Sequence, residues 1–113
     1  MSKLELLTEF DFYRRLAASP GASLVLFSAP ACGACRRVEA VLPQALAGAV
    51  ARLYKVDAQQ SQALAREYEV FHLPALFLFV DGHYHAPVHS PLSPAKLRQA
   101  VLDALRLPPR EAP

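Results

Sequence analysis

A chain of 113 residues with 53% hydrophobic and 19% charged positions is long enough to bury most of its apolar surface in one domain. Its formal net charge of +2 comes from scattered basic residues, with Arg14-Arg15 and Arg36-Arg37 as the basic doublets, so nucleic acid and charged membrane surfaces are not expected partners. The apolar run Leu73–Val80 falls short of the roughly 20 residues of a membrane span, and Met1–Arg15 interrupts its leucines with Lys3, Glu5, Glu9 and Asp11, unlike a secretory leader.

Lys3–Leu7 reads as a short strand. Thr8-Glu9-Phe10-Asp11 has the spacing of a capping box, and Phe12, Leu16 and Tyr13, Ala17 recur at helical intervals until Ser19-Pro20-Gly21 breaks the pattern. Ala22–Ser28 is a continuous apolar run, as in a strand buried on both faces of a parallel sheet. A helix is expected over Arg36–Ala47, with Val38, Val41, Leu42, Ala45 and Leu46 on one face. Pro43 has no N–H to offer the Glu39 carbonyl, so a kink or restart is expected there, with Gly48 as end cap.

Val50–Val56 reads as the next strand. Asp57 is expected to cap a helix running to about Glu69, with Gln60 at the capping-box position and Leu64 and Tyr68 facing inward. Leu73–Val80 opens on proline and continues as an apolar central strand, and Asp81-Gly82 is a two-residue hairpin signal. The return strand His83–Val88 contains Pro87 and belongs at an edge, with Tyr84, Ala86 and Val88 turned inward and His83 and His85 facing solvent. Ser93-Pro94 starts the last helix, whose buried stripe is Leu97, Val101, Ala104 and Leu105. Pro108-Pro109 ends it and leaves Arg110–Pro113 as a frayed tail. The order β-α-β-α-β-α-β-β-α predicts a three-layer α/β/α sandwich. Helical crossovers imply parallel strands in its first part, and the hairpin adds an antiparallel pair.

Both cysteines lie in Cys32-Gly33-Ala34-Cys35, where the second strand hands over to a helix. A sulfur at a helix start faces unpaired backbone N–H groups and the positive end of the helix dipole, which favour the thiolate over the thiol. A lone cysteine pair in a reducing compartment is catalytic or metal-binding more often than a structural staple. The competing readings are two small buried apolar residues, or a zinc site completed by two histidines from His72, His83, His85 and His89. His83 and His85 share a strand face, whereas His72, two residues before Pro74, is placed to approach the dithiol. A charged His72, or Arg36 and Arg37, would add positive potential there.

This order of elements, with Ser28-Ala29-Pro30-Ala31-Cys32-Gly33-Ala34-Cys35, Val56-Asp57, Leu73-Pro74 and Asp81-Gly82 in sequence, resembles the thioredoxin family over about residues 3–106. The resemblance implies a single thioredoxin-like domain over 1–113, with 107–113 as a C-terminal tail. It implies Cys32 as nucleophile, Cys35 as resolving thiol and Pro74 as a cis-proline that offers the backbone of Leu73 to an extended substrate peptide. Ala31, Gly33 and Ala34 would form the other wall of that groove. The implied activity is reduction of disulfide-containing protein substrates by a monomeric cytoplasmic enzyme. It needs no cofactor and no metal, only an external thiol or reductase as electron donor.

Departures from the family pattern are specific. Ala31 stands for a tryptophan, Ala34 for a proline, Leu26 for the buried aspartate of the preceding strand and Leu53 for a nearby lysine. The helix proline stands at Pro43 instead of position 40, Leu73 precedes the strand proline in place of isoleucine or threonine, and Ser90 aligns with a glycine. Leu26 cannot accept the proton of Cys35, so slower resolution is expected unless Glu39 or water substitutes. Ala34 lacks the charged or aromatic residue of strongly oxidising relatives, which directs the expectation to a reductant. A glutaredoxin-like protein, disfavoured by the absence of Cys-Pro-Tyr-Cys, and a binding module or chaperone with little turnover are the alternatives.

Overall fold

The computed structural model describes residues 3–113; Met1 and Ser2, at the head of the expected domain, lie outside the described residues. The elements run β1 (Glu5–Leu7), α1 (Phe12–Ala17), β2 (Ala22–Ser28), α2 (Gly33–Ala45), β3 (Arg52–Asp57), α3 (Gln62–Glu67), β4 (Ala75–Val80), β5 (His83–Val88) and α4 (Pro94–Arg106). The strands form one mixed sheet in the order β1-β3-β2-β4-β5. Helices cover both of its faces, so the chain has the thioredoxin-like α/β fold that its order of elements implied.

β2 is apolar from Leu24 to Phe27 because both of its faces are covered. Val25 and Phe27 join Phe12 and Leu16 of α1 and Leu64 of α3 in one cluster. Leu24 and Leu26 join Val38 and Leu42 of α2 and Leu97 and Val101 of α4 in the other. β3 pairs parallel with both β1 and β2, as expected. β4, in contrast, runs antiparallel to β2 although a helix separates it from β3. Asp57 ends β3 beside Ser28, and Ala75 opens β4 beside Phe27. The connection 58–74 thus returns the chain to the end of the sheet it has just left.

Several local expectations shift for identifiable reasons. In the capping box, the Thr8 N–H donates to Asp11 Oδ1 at 2.8 Å, the side chain reaching back as the spacing implied. Asp57 does not cap α3: its Oδ1 accepts from the N–H groups of Gln59 and Gln60 at 2.8 and 3.2 Å, closing a turn, and Ser61 is the N-cap. α2 runs through Pro43 without a restart, because the proline falls in the last turn, where only Gln44 and Ala45 follow. Gly48 has φ +79 in the connection beyond the helix rather than at its end. In the hairpin, Asp81 and Gly82 have φ +51 and +83, and a Cβ on Gly82 would meet the Ala17 backbone at 2.7 Å, so glycine is required by both conformation and space.

β5 departs most. The ladder slips between the pairs Leu78–Ala86 and Phe79–Tyr84, leaving His85 as the extra residue of a bulge. Tyr84 therefore packs with the aromatic cluster and Val88 with the aliphatic one, instead of sharing a face. His85, expected in solvent, is buried under α4, where Nε2 donates to the Ala104 carbonyl at 2.8 Å. The tail is exposed yet laid back along β5, with the Arg110 N–H donating to the His85 carbonyl at 2.7 Å.

Candidate active site

The end of β2 delivers the chain into a turn in which the Cys32 N–H donates to the Ala29 carbonyl at 3.2 Å. Cys32 is extended and caps α2, its Sγ accepting the Cys35 N–H at 3.1 Å. The two sulfurs are joined as a disulfide across a Cα–Cα distance of 5.2 Å. Cys32 is half-buried while Cys35 is 1% exposed. The thiols are therefore unequal. In the reduced pair the cap hydrogen bond and the N-terminus of a thirteen-residue helix stabilise negative charge on Cys32, the accessible sulfur. Cys35 is closed off from a bulky client and is placed to react with what is already bound to Cys32.

Ala31 and Gly33 are exposed and Ala34 is half-buried. Both arginines after the motif are exposed, but Arg37 folds back so that its Nη1 lies 3.8 Å from where a Gly33 Cβ would stand. Arg37 thus contributes positive charge over the motif loop, whereas Arg36 lies on the wall of a cavity behind Cys35.

The Leu73–Pro74 peptide bond is cis, and the half-buried Leu73 packs its side chain against the aromatic cluster. Because Ala75 pairs with Phe27, this segment lies at the same end of the sheet as the dithiol loop. Pro74 lines an open groove of about 420 Å³ together with Phe71, His72, Leu76, Pro87 and His89. Phe71 is 81% exposed at its rim. Phe71 lies outside the expected site, and the signal for it in the chain is an aromatic two residues ahead of Leu73-Pro74 in a segment with no helical or alternating apolar pattern.

A second cavity, of about 310 Å³, lies behind Cys35 and is lined by Leu6, Arg36, Glu39, Lys55 and Asp57 among others. Lys55 Nζ donates to Glu39 Oε1 at 2.7 Å, with both side chains about one-third exposed. In the sheet register Lys55 stands directly beside Leu26, and Leu53 beside Leu24, so all four share the α2 face. Leu26 itself is completely buried among apolar side chains. Lys55 was missed because its partner Glu39 lies sixteen residues away on another element. Among the described residues no group of three or more His, Cys, Asp or Glu gathers as a metal site, and no helix is long and apolar enough to cross a membrane.

Comparison with known proteins agrees with this geometry. A family model described as Thioredoxin matches residues 3–103. A protein disulfide isomerase-like 1-3 from Arabidopsis thaliana is 38% identical over 77 residues, a match that covers 64% of this chain but 13% of that protein. A thioredoxin of Staphylococcus epidermidis is 36% identical over 78 residues, covering 66% of this chain and 72% of its own. Among solved structures, a thioredoxin variant from Halobacterium salinarum superposes with a TM-score of 0.77 at 26% identity, over 96% of this chain and 95% of its own.

Proposed function

Because this chain belongs to the thioredoxin family, whose members are thiol–disulfide oxidoreductases, we propose that it reduces disulfide bonds in client proteins. The observation that carries this reading is the asymmetry of the pair: Cys32 is accessible and capped by an N–H, and Cys35 is buried behind it. The Cys32 thiolate attacks a client disulfide, one client sulfur leaves, and a mixed disulfide forms. Cys35 then attacks Cys32 Sγ, the second client sulfur leaves, and the Cys32–Cys35 disulfide remains for an external dithiol or reductase to reduce. No bound cofactor takes part. The chain acts as a monomer on extended client segments, which lie against Leu73 and Pro74 with Ala31, Gly33 and Ala34 opposite, and Phe71 supplies an apolar contact at the rim of the groove. The reducing direction suits a cytoplasmic thiol pool.

Two single substitutions and one potential test the proposal. With a dithiol donor and a disulfide-bonded protein substrate, Cys32→Ser is expected to abolish turnover, and Cys35→Ser to accumulate mixed disulfides that the donor releases. A binding module would keep its partners in both variants and release none on reduction. The reduction potential is expected nearer the roughly −270 mV of thioredoxin than the roughly −120 mV of strong oxidants. A value at the oxidising end would reverse the assigned direction.

A further inference from the structure

The family's buried aspartate is absent at Leu26, yet a carboxylate from α2 and an ammonium group from the neighbouring strand meet at the edge of the same site. We propose that Glu39, held by Lys55, accepts the proton of Cys35 during resolution of the mixed disulfide, through water in the cavity that the three residues line. The assignment rests on the dithiol relay above and names the group that makes its second half run.

Glu39 is four residues beyond Cys35 on α2, so the two side chains lie one above the other on the same helix face. Long helical side chains lean toward the N-terminus, which aims Glu39 at Cys35. The cavity of about 310 Å³ has room for several waters at about 30 Å³ each. Lys55 restrains the carboxylate at 2.7 Å from β3, directly beside Leu26. An ion pair exposed to this degree contributes only about 0–1 kcal/mol to stability, so stability alone gives little reason to hold it there. Of the other charged groups facing the cavity, Arg36 is a cation, and Asp57, whose Oδ1 is engaged by two backbone N–H groups, is the rival that the test below separates from Glu39.

The step balances. Cys35 gives its proton to water as that water gives one to the Glu39 carboxylate. The Cys35 thiolate attacks Cys32 Sγ, the Cys32–Cys35 bond forms, and the bond from Cys32 to the client breaks. The client sulfur leaves with the electron pair as a thiolate and is protonated by bulk water, and Glu39 returns its proton to solvent. The cysteine pair is oxidised and the client sulfur reduced.

The test mixes reduced protein with an aromatic disulfide that releases a coloured thiolate. The first release reports attack by Cys32 and the second reports resolution by Cys35. Glu39→Gln is expected to slow the second phase by about tenfold to a hundredfold at neutral pH, within the usual span for general-base help, and to leave the first phase unchanged. The deficit should fade at strongly alkaline pH, where hydroxide ionises Cys35 unaided. Lys55→Met should give a smaller slowing, confined to the second phase, because the carboxylate remains but is no longer positioned. Asp57→Asn should match the parent. A second phase untouched in Glu39→Gln, slowed equally at every pH, or slowed instead by Asp57→Asn would overturn the assignment. A chain that passes this test yet reduces no protein disulfide would sink the reductase reading alone.

Discussion

On one face of the sheet, two helices of six residues lie over a cluster of aromatic rings; on the other, two helices of thirteen residues lie over leucines and valines. A six-residue helix closes few backbone hydrogen bonds and is marginal by itself, so α1 and α3 depend on what they touch. Phe12 supplies that for α1 by meeting Tyr68 and Phe79 at centroid distances of 5.7 Å, each ring burying a large area per residue. The longer α2 and α4 close more backbone hydrogen bonds of their own and spread their anchoring over an apolar stripe. The chemistry stands on the second face, where α2 fixes Cys32, Cys35 and Glu39 on one rigid element. The contrast separates a scaffold face from a working face, and leucine at position 26 fits the apolar packing of the second. The aliphatic face is completed by an apolar side chain there, while the charged pair Lys55–Glu39 stands at the solvent edge.

The largest expected effect comes from forcing charge back into the aliphatic face. Leu26→Asp loses apolar burial and strands a carboxyl, and should destabilise the protein by about 4–7 kcal/mol, much of a typical domain's stability. Burial would raise the folded-state pKa of the new carboxyl above its unfolded value near 3.9, so the ionisation part of the penalty is absent below that pH, grows as pH rises from it toward the folded value and is complete above it, on top of a packing loss that does not depend on pH. Urea unfolding between pH 4 and 8 reads this directly. In the two-phase assay, the folded fraction should resolve its mixed disulfide faster than the parent does. No gain would mean that an apolar position 26 does not limit the step. Next in size is the scaffold face: Phe12→Ala should remove about 3–5 kcal/mol while leaving both exchange phases unchanged per folded molecule. Slower exchange in that variant would erase the distinction between the two faces.

How much of this was legible follows the range of the interactions. The dithiol, the Asp81-Gly82 hairpin and the edge strand with Pro87 depend on neighbours in the chain, and the structure places them as read. The strand direction of β4 was not legible, because a connection as long as 58–74 can serve either direction and only the docking of Ala75 beside Phe27 decides it. His85 was misplaced because a bulge defeats strict alternation, and nothing in His-Tyr-His-Ala-Pro-Val announces the slip. Asp57 looked like a helix cap by residue type, yet its side chain closes a turn one step earlier and leaves the cap to Ser61. The half of the site around Cys35 was legible at Glu39, four residues on along a helix, and hidden at Lys55, whose proximity is created by the sheet register.

The smallest expected effect tests the same contrast at the helix ends. The Thr8 backbone N–H, opposed by partial burial and aided by Arg15, holds the Asp11 carboxyl below the usual carboxylate range. A depressed folded-state value means that its contribution is complete above the unfolded value near 3.9 and disappears as pH falls through the folded one. Asp11→Ala should therefore cost about 1 kcal/mol at neutral pH, the usual size of a lost cap, and less once the parent carboxyl is protonated. Ser93→Ala at the start of α4 removes a longer bond, 3.4 Å from the Lys96 N–H, on a helix anchored by Leu97 and Val101, and should cost less. Paired denaturation curves at neutral and acid pH measure both. Equal losses at the two helices would show that length and packing do not decide how far a helix on this sheet relies on its cap.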